Sequence, residues 1–516
     1  MGPLWAAGRP CRVPPMAIRK ILGIETEYGI ITRGAEESNP IAASSTLVRA
    51  YATEVAGQPG RTRGVGWDFE DEMPGNDARG ESLVRSYAPE VETHLVNAVL
   101  TNGSRFYVDH AHPELSTPEC SNALQALLYD RAGEEILLKA MAGARNLLPE
   151  GQEILVYKNN SDGKGQSYGT HENYLLARSL PFGRIVTHAI THFVTRQIYT
   201  GAGKLGTEVP GHRTDEVPYQ LTQRADFFEE EVGLETTLKR PIVNTRDEPH
   251  ADAKKYRRLH VIVGDANMSE AATFLKLVTT AMWFAAVEDG AVEREWRFAR
   301  PVQALRQVSR DLELSQPIEM ADGTSMTALE IQWELLALCR DWAERFGLDA
   351  VGEEAGRQGL ALWEETLAGL EDDPANVADI VDWVAKLRVI DGFRRRHDLR
   401  WNAAKLRAMD LQYHDLRPEK SLARRVGLRT LLSREAVANA ITEPPADTRA
   451  WFRGRCLQRF SDQIVAANWD SMVFDVGAAS LQRVPMMEPS RGTRDHVGKL
   501  VEEATSAADL IARLAT

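Results

Sequence analysis

An α+β fold, one large and mostly antiparallel sheet with packed helices followed by a small C-terminal domain, is what this 516-residue sequence predicts. Three observations lead there. Strand-like segments alternate with helices, several strand-like segments are close neighbours, and a mainly helical stretch at 327–435 precedes the break "EPPAD" at 443–447.

The first strand spans 18–31. In "ILGIETEYGI", Ile24, Thr26 and Tyr28 point one way and Glu25, Glu27 and Gly29 the other. Two residues rise roughly 6.6 Å, so the carboxylates sit about 6–7 Å apart on one face. Unpaired in a core, each would cost several kcal/mol or take up a proton. The segment is therefore either an edge strand with its acidic face in water or a wall of metal ligands.

Residues 33–91 read as a long mobile insertion, a short helical stretch followed by Gly, Pro and charge, dispensable for the fold. "ETHLVNAVLTNG" reads as a helix stopped by Gly103, and "SRFYVDHAHPE" as a strand. A long helix covers 121–148, then the strand "EILVYK" and the glycine-bearing loop "NNSDGKGQSYG". Strands follow around 171–178, 218–224, 240–246 and 257–264, with helices near 184–200 and 269–289. This divides the chain into a catalytic domain at 16–435 and a small domain at 436–516. Residues 1–15 read as a disordered extension or a mis-assigned start; they lack the continuous apolar stretch of a signal peptide.

At 43% hydrophobic and 26% charged residues, the composition is that of a soluble globular protein. A formal charge of −13 argues against bulk nucleic-acid or membrane-surface binding. The four cysteines, Cys11, Cys120, Cys339 and Cys456, make no C-x-x-C pair, which suits buried thiols in a reducing cytoplasm. No apolar run approaches the roughly 18 residues that span a bilayer.

Polar groups converge on otherwise apolar segments. "RFYVD" sets Arg105, Tyr107 and Asp109 on one strand face, and "HAHPELSTPE" adds His110, His112, Glu114 and Glu119. His171 and Asn173 share a face in "YGTHENYL". Arg246, Glu248 and His250 lie close together, with Arg257, Arg258 and His260 shortly after. Singly, each could be a satisfied polar residue. Together, carboxylates for a hard divalent cation and arginines for phosphate point to a Mg²⁺-nucleotide site. Gly163, Gly165 and Gly169 fit neither a P-loop nor a Rossmann fingerprint.

The E-T-E strand, "NGSRFYVDHAHPE", "YKNNSDGKGQSYGTHENYL", "VNTRDEPHADAKKYRRLHVIVGDANMSE" and "NWDSMVFD" together resemble the Pup ligase/depupylase family, from about Ile18 to the C-terminus. The resemblance implies the carboxylate–amine ligase fold of glutamine synthetase. Ligase members have a short connection after the first strand and D-V-G-S-H-P-E after the catalytic aspartate. The long insertion and "DHAHPE" here resemble the deamidase/depupylase branch instead. That branch hydrolyses the C-terminal Gln of prokaryotic ubiquitin-like protein (Pup) to Glu and cleaves the Pup–lysine isopeptide bond. The alternative is an ATP-consuming Pup–protein ligase; a nucleotide-binding regulator with a dead site is a third reading, opposed by Glu25, Asp109 and Glu114.

By the same resemblance, Asp109 matches the catalytic aspartate, Glu25, Tyr107 and Glu114 the Mg²⁺ site, and Arg105, Thr117 and Trp469 the ATP contacts. Analogy with the glutamine synthetase site adds Glu27, His171 and Glu248 on the metal side and Arg246 and His250 on the nucleotide side. ATP, or ADP plus phosphate, is implied as a bound cofactor that is not used each turnover. Asp109 could attack the amide carbonyl or activate a water; the residues leave both open. Implied partners are Pup and pupylated proteins, with the proteasomal ATPase as a further candidate, and neither nucleic acid nor membrane. Pup is acidic in this family, which makes the basic runs "KLRVIDGFRRRHDLRW" and "LARRVGLR" candidates for its groove.

Overall fold

The structure, a computed structural model, describes residues 17–56, 65–69, 72, 75–80, 96–209, 211, 214 and 216–515. The first fifteen residues, and much of the stretch read as an insertion, lie outside the described residues.

The catalytic half contains β1 (Leu22–Glu27), β2 (Gly29–Arg33), helix α1 (Pro40–Ala56), β3 (Gly66–Trp67), β4 (Asn97–Val99), β5 (Arg105–Asp109) and β6 (His112–Ser116). Helix α2 (Ala123–Ala144), β7 (Glu153–Tyr157), β8 (Thr170–Ala177), α3 (Phe182–Thr195), β9 (Tyr256–Val261) and α4 (Glu270–Glu288) follow. Six strands form one sheet in the order β9-β8-β1-β6-β5-β4, every pair antiparallel. Period-2 alternation gives the sheet two unlike faces. Ile24, Phe106, Val108, Leu115, Leu176 and Leu259 bury one face in the main core. Helices α2 and α4 pack there, α2 started by Asn122, whose side chain accepts from Gln125 N. The other face carries most of the charged residues; Glu172, on the core face opposite Ile24, is an exception that pairs with Arg196.

The strand expected over 18–31 is two strands. Tyr28, only 1% exposed, breaks it, and β2 leaves the main sheet to pair with β7. "SRFYVDHAHPE" is likewise a hairpin, turned at His110 (φ 50°). The helix expected in "ETHLVNAVLTNG" is corrected at its end: Asn97–Val99 is β4, joined to β5 by a Leu100–Ser104 turn with Gly103 at φ 84°. A backbone paired against β5 outweighs the helical spacing of a short segment. The strand expected at 218–224 shrinks to Tyr219–Gln220, and Arg240–Asn244 pairs in parallel with Phe228–Gly233 outside the main sheet.

The mobile insertion about 33–91 also needs correction. Helix α1 is core: Leu47, Val48, Ala50 and Tyr51 are buried, and Tyr51 meets Phe106 edge-on at 6.1 Å. Strand β3 joins a second sheet described below.

Helix α4 comes closer to bilayer-spanning length and hydropathy than the sequence reading allowed, being the one described helix that does so; its apolar window is 94% buried. The helical region contributes α5 (Ala328–Phe346), opened by a Thr327/Glu330 capping box, α6 (Glu353–Asp372), α7 (Asp382–Arg396), α8 (Ala404–Tyr413) and α9 (Arg434–Ala440). Helix α9 packs on α2, and Ala440 and Ile441 belong to the main core, so the change of core falls near the "EPPAD" turn rather than at 435. Beyond it come α10 (Ala450–Phe460), β10 (Ile464–Ala467), β11 (Ser471–Phe474), β12 (Gln482–Pro485), α11 (Arg494–Glu503) and α12 (Ala507–Leu514). Their sheet has the order β12-β11-β10-β3, closed by the two residues of the insertion. Val65, Trp67 and Val99 share this second core with Phe452, Leu457 and Phe474.

Glu119 joins the two cores. Its carboxylate accepts from Arg449 Nε at 2.6 Å and also pairs with the Arg453 guanidinium. Arg449 Nη1 reaches the carbonyls of His250 and Met486, and Arg453 Nη1 that of Trp469.

Candidate active site

The polar face of the main sheet gathers side chains from four adjacent strands and from β9. On β1, Glu25 and Glu27 face the same side, with side chains 20% and 13% exposed. Register sets Glu27 opposite Glu114 on β6, and Glu114 opposite Tyr107 on β5. Glu27, Asp109 and Glu114 thereby place carboxylate oxygens within 4.8 Å of one another. On the other flank, β8 sets His171 opposite Glu25, and β9 sets His260 opposite Asn173. Glu25, His171 and His260 form a second group within the same 4.8 Å limit.

Each group is oriented by neighbours. Asn173 Nδ2 donates to Glu25 Oε1 at 2.9 Å, and His260 Nδ1 lies 3.0 Å from Asn173 Oδ1. Arg258 Nη1 is 3.9 Å from Glu25 Oε1. Gly169 N donates to Glu27 Oε1 at 2.9 Å, and His112 Nδ1 is 3.4 Å from Glu27 Oε2. A Cβ at Gly169 would lie 2.2 Å from His171 Nε2, so a larger residue there would have to displace the His171 ring. Asp109 Oδ2 is 3.0 Å from His110 Nδ1, at the open end of the carboxylate group.

The electrostatics divide accordingly. Burial alone would raise Glu25, but hydrogen bonding to His171 and the neighbouring Arg258 guanidinium hold it well below the usual carboxylate range. Burial opposes ionisation of Glu27 too, yet His112, His171 and the Gly169 N–H bring it to about 2. Glu114 goes the other way: burial and the charges of Asp109, Glu27 and Glu25 push it well above. Burial and Glu114 likewise raise Tyr107. Burial and Arg258 lower His260 and His250, so both imidazoles are neutral.

Beside this face, between the main sheet and the C-terminal unit, lies a cleft lined among others by Gly23, Thr117, His250, Arg258, Arg449 and Trp469. Thr117 Oγ1 accepts from Ile24 N at 3.0 Å, fixing the cleft floor. The Arg105 guanidinium is 4.0 Å from the Trp67 ring centroid and 3.9 Å from that of Tyr107. Three carboxylates crowded together, one forced toward the neutral form, are a donor set that a divalent cation would relieve, and oxygen ligands suit Mg²⁺. The residues present fit both groups.

Of the residues singled out from sequence, Glu27, Glu114 and Asp109 come together, with Tyr107 beside them, as do Glu25 and His171. Thr117, His250 and Trp469 line the cleft. Glu248 joins neither ligand group; it stands 3.9 Å from His250 and acts on Arg258. Arg246 bridges to Asp77 through backbone and is close enough to act on His260 and Arg258. Arg257 turns away from the site to Asp247, at 2.7 Å. Sequence reasoning left His260, Arg258, Asn173, His112, Glu119 and Arg449 without roles. The alternation in "YRRLHV" carries the signal for Arg258 and His260, but only pairing with β8 brings them to Glu25. Of the basic runs, Arg394 and Arg395 both pair with Asp391, and Arg429 pairs with Glu365 and Asp379.

The profile of the family described as Pup-ligase protein matches residues 20–473. A depupylase of Acidothermus cellulolyticus is 51% identical over 96% of this chain and 99% of its own length. A Pup deamidase/depupylase of Mycolicibacterium smegmatis is 44% identical over 96% of this chain and 100% of its own. Among solved structures, the complex of Pup with its ligase PafA superposes with a TM-score of 0.76 at 30% identity, covering 94% of this chain and 92% of that one. PafA in complex with ADP gives 0.72 at 33%, covering 81% and 92%. With its motifs, its sheet and nearly its whole length matched, the chain belongs to the Pup ligase/depupylase family.

Proposed function

We propose that this protein is an amidohydrolase that deamidates the C-terminal Gln of Pup to Glu and cleaves the isopeptide bond between Pup and substrate lysines, with Mg²⁺ and a bound adenine nucleotide. One observation carries the chemistry: Asp109 stands at the solvent-open end of a carboxylate group, on the same strand face as Arg105 and Tyr107. The near full-length likeness to proteins named depupylase favours hydrolysis over the ligase reading.

Glu27, Glu114, Glu25, His171 and His260 would hold Mg²⁺, and Thr117, Arg105 and Trp469 would border the nucleotide. Bound Mg²⁺ supplies positive charge where the amide oxygen becomes negative. Asp109 is the group within reach of the carbonyl. If it attacks, the C–N bond breaks, ammonia or the lysine amine leaves with a proton, and water then cleaves the resulting anhydride. If it acts as base, it takes a proton from the attacking water and the same bond breaks in one addition–elimination. Arg258, neutral His260 and Asn173 hold Glu25 in place, so the second group stays ordered during turnover.

Incubating the protein with Gln-ended Pup, Mg²⁺ and ATP and weighing Pup tests this. The Gln-to-Glu mass change is expected; Pup covalently joined to lysine with ADP accumulating would instead establish the ligase.

A further inference from the structure

The insertion supplies a ring, Trp67, that packs against Trp469 in the cleft lining. Trp67 is 6% exposed, and its backbone is fixed by parallel pairing of Gly66 and Trp67 with Ala466 and Ala467. Asp68 N donates to Ala467 O at 3.0 Å, and Trp67 Nε1 donates to Glu72 Oε1 at 2.6 Å. The indole faces two residues from different cores. Arg105, on the main sheet, has its guanidinium carbon 4.0 Å from the Trp67 ring centroid and 3.9 Å from that of Tyr107, with Nε donating to Asn97 Oδ1 at 2.9 Å. Trp469, on the turn after β10, meets Trp67 edge-on at 5.1 Å. A guanidinium between two rings keeps its fork in one plane, which is what bidentate recognition of phosphate requires.

We propose that Trp67 is a positioning residue of the nucleotide cleft, holding Arg105 and Trp469 in fixed relation across the junction of the two cores. This rests on the nucleotide reading of Arg105 and Trp469 given above. A segment that reads as a peripheral lid is thus a structural part of cofactor retention, and Trp67 acts through Arg105 rather than on the ligand.

The test is a double-mutant cycle read by Mg²⁺-ADP calorimetry. Trp67→Leu weakens ADP on the order of tenfold, Trp67→Phe keeps most of the affinity, and Trp67→Leu combined with Arg105→Ala binds no more weakly than Arg105→Ala alone. Affinity for Gln-ended Pup is unchanged in all of them. If Arg105→Ala leaves ADP binding intact, Arg105 is not a nucleotide contact and the proposal falls with that reading. If Arg105→Ala weakens ADP but Trp67→Leu does not, or the two losses add, the positioning role is overturned while the nucleotide reading stands. Hydrogen exchange of the wild-type protein decides the case should Trp67→Leu not fold. Saturating ADP is expected to slow the Asp68 amide, and an unchanged rate overturns the proposal.

Discussion

Glu27 and Glu114 stand directly opposite one another on β1 and β6, two carboxylates on one face with no residue between them. Strand pairing brings opposed Cβ atoms to about 4.5–5.5 Å, a distance at which like charges repel. A divalent cation held between them would relieve that repulsion.

Glu25→Ala and Glu114→Ala should therefore weaken Mg²⁺-ATP binding by on the order of tenfold to a hundredfold and stop turnover. Calorimetry with unchanged affinity in both variants would remove these residues from the cation sites.

Asp109→Asn is nearly isosteric and should leave fold, nucleotide binding and Pup binding in place. Deamidation and depupylation should fall together, by about 10²–10⁴-fold if Asp109 is a base and by more if it attacks. Loss of one reaction with the other retained would exclude a single shared aspartate.

Glu119 has a side chain 12% exposed against arginines at 3% and 0%, so breaking this cluster leaves buried cations without a partner. Glu119→Gln should destabilise the protein by about 3–5 kcal/mol, seen as a lower denaturation midpoint with the C-terminal unit loosening first. The same group predicts a pH effect. Burial raises its pKa, but Arg453 and Arg449 bring it from 4.5 to about 2. A depressed carboxyl contributes stability that is fully present above pH 4.5 and is lost as pH falls toward 2. The acid loss in that window should be smaller in Glu119→Gln than in the wild type; equal losses would assign the acid transition to other carboxylates.

Deleting Gln58–Gly80 was expected to spare the fold when the stretch is read as a lid. With Val65 and Trp67 in the second core and β3 at the edge of its sheet, the deletion should instead lower the melting temperature markedly. A melting temperature within about 2 °C of wild type, the shift that roughly 1 kcal/mol produces in a chain this large, would return the segment to the status of a lid.

How much of this was legible follows from what each signal depends on. The alternation in "IETE" shows that Glu25 and Glu27 share a face, because a strand's period is local. That Glu27 meets Glu114, or Glu25 meets His171 and His260, depends on which strands become neighbours, and no local pattern carries that. Asp109 stands out through its motif, and the structure places it beside Glu27 and Glu114. Trp67 does not stand out: one apolar residue amid Gly, Pro and charge has no period, and its partners lie at the far end of the chain. Asn97–Val99 failed for a related reason, its helical spacing being overridden by the hairpin it makes with β5.

The edge strand β3 also has a consequence for biosynthesis. Gly66 pairs with Ala466, so its partner leaves the ribosome about 400 residues later. At roughly 5–20 residues per second that is a delay on the order of 20–80 s. During that interval Trp67 has no sheet to join, and the second core cannot close until synthesis is nearly complete. A truncated chain ending before Ile464 would therefore release the main core with an aromatic edge exposed, a species suited to capture by chaperones or to aggregation.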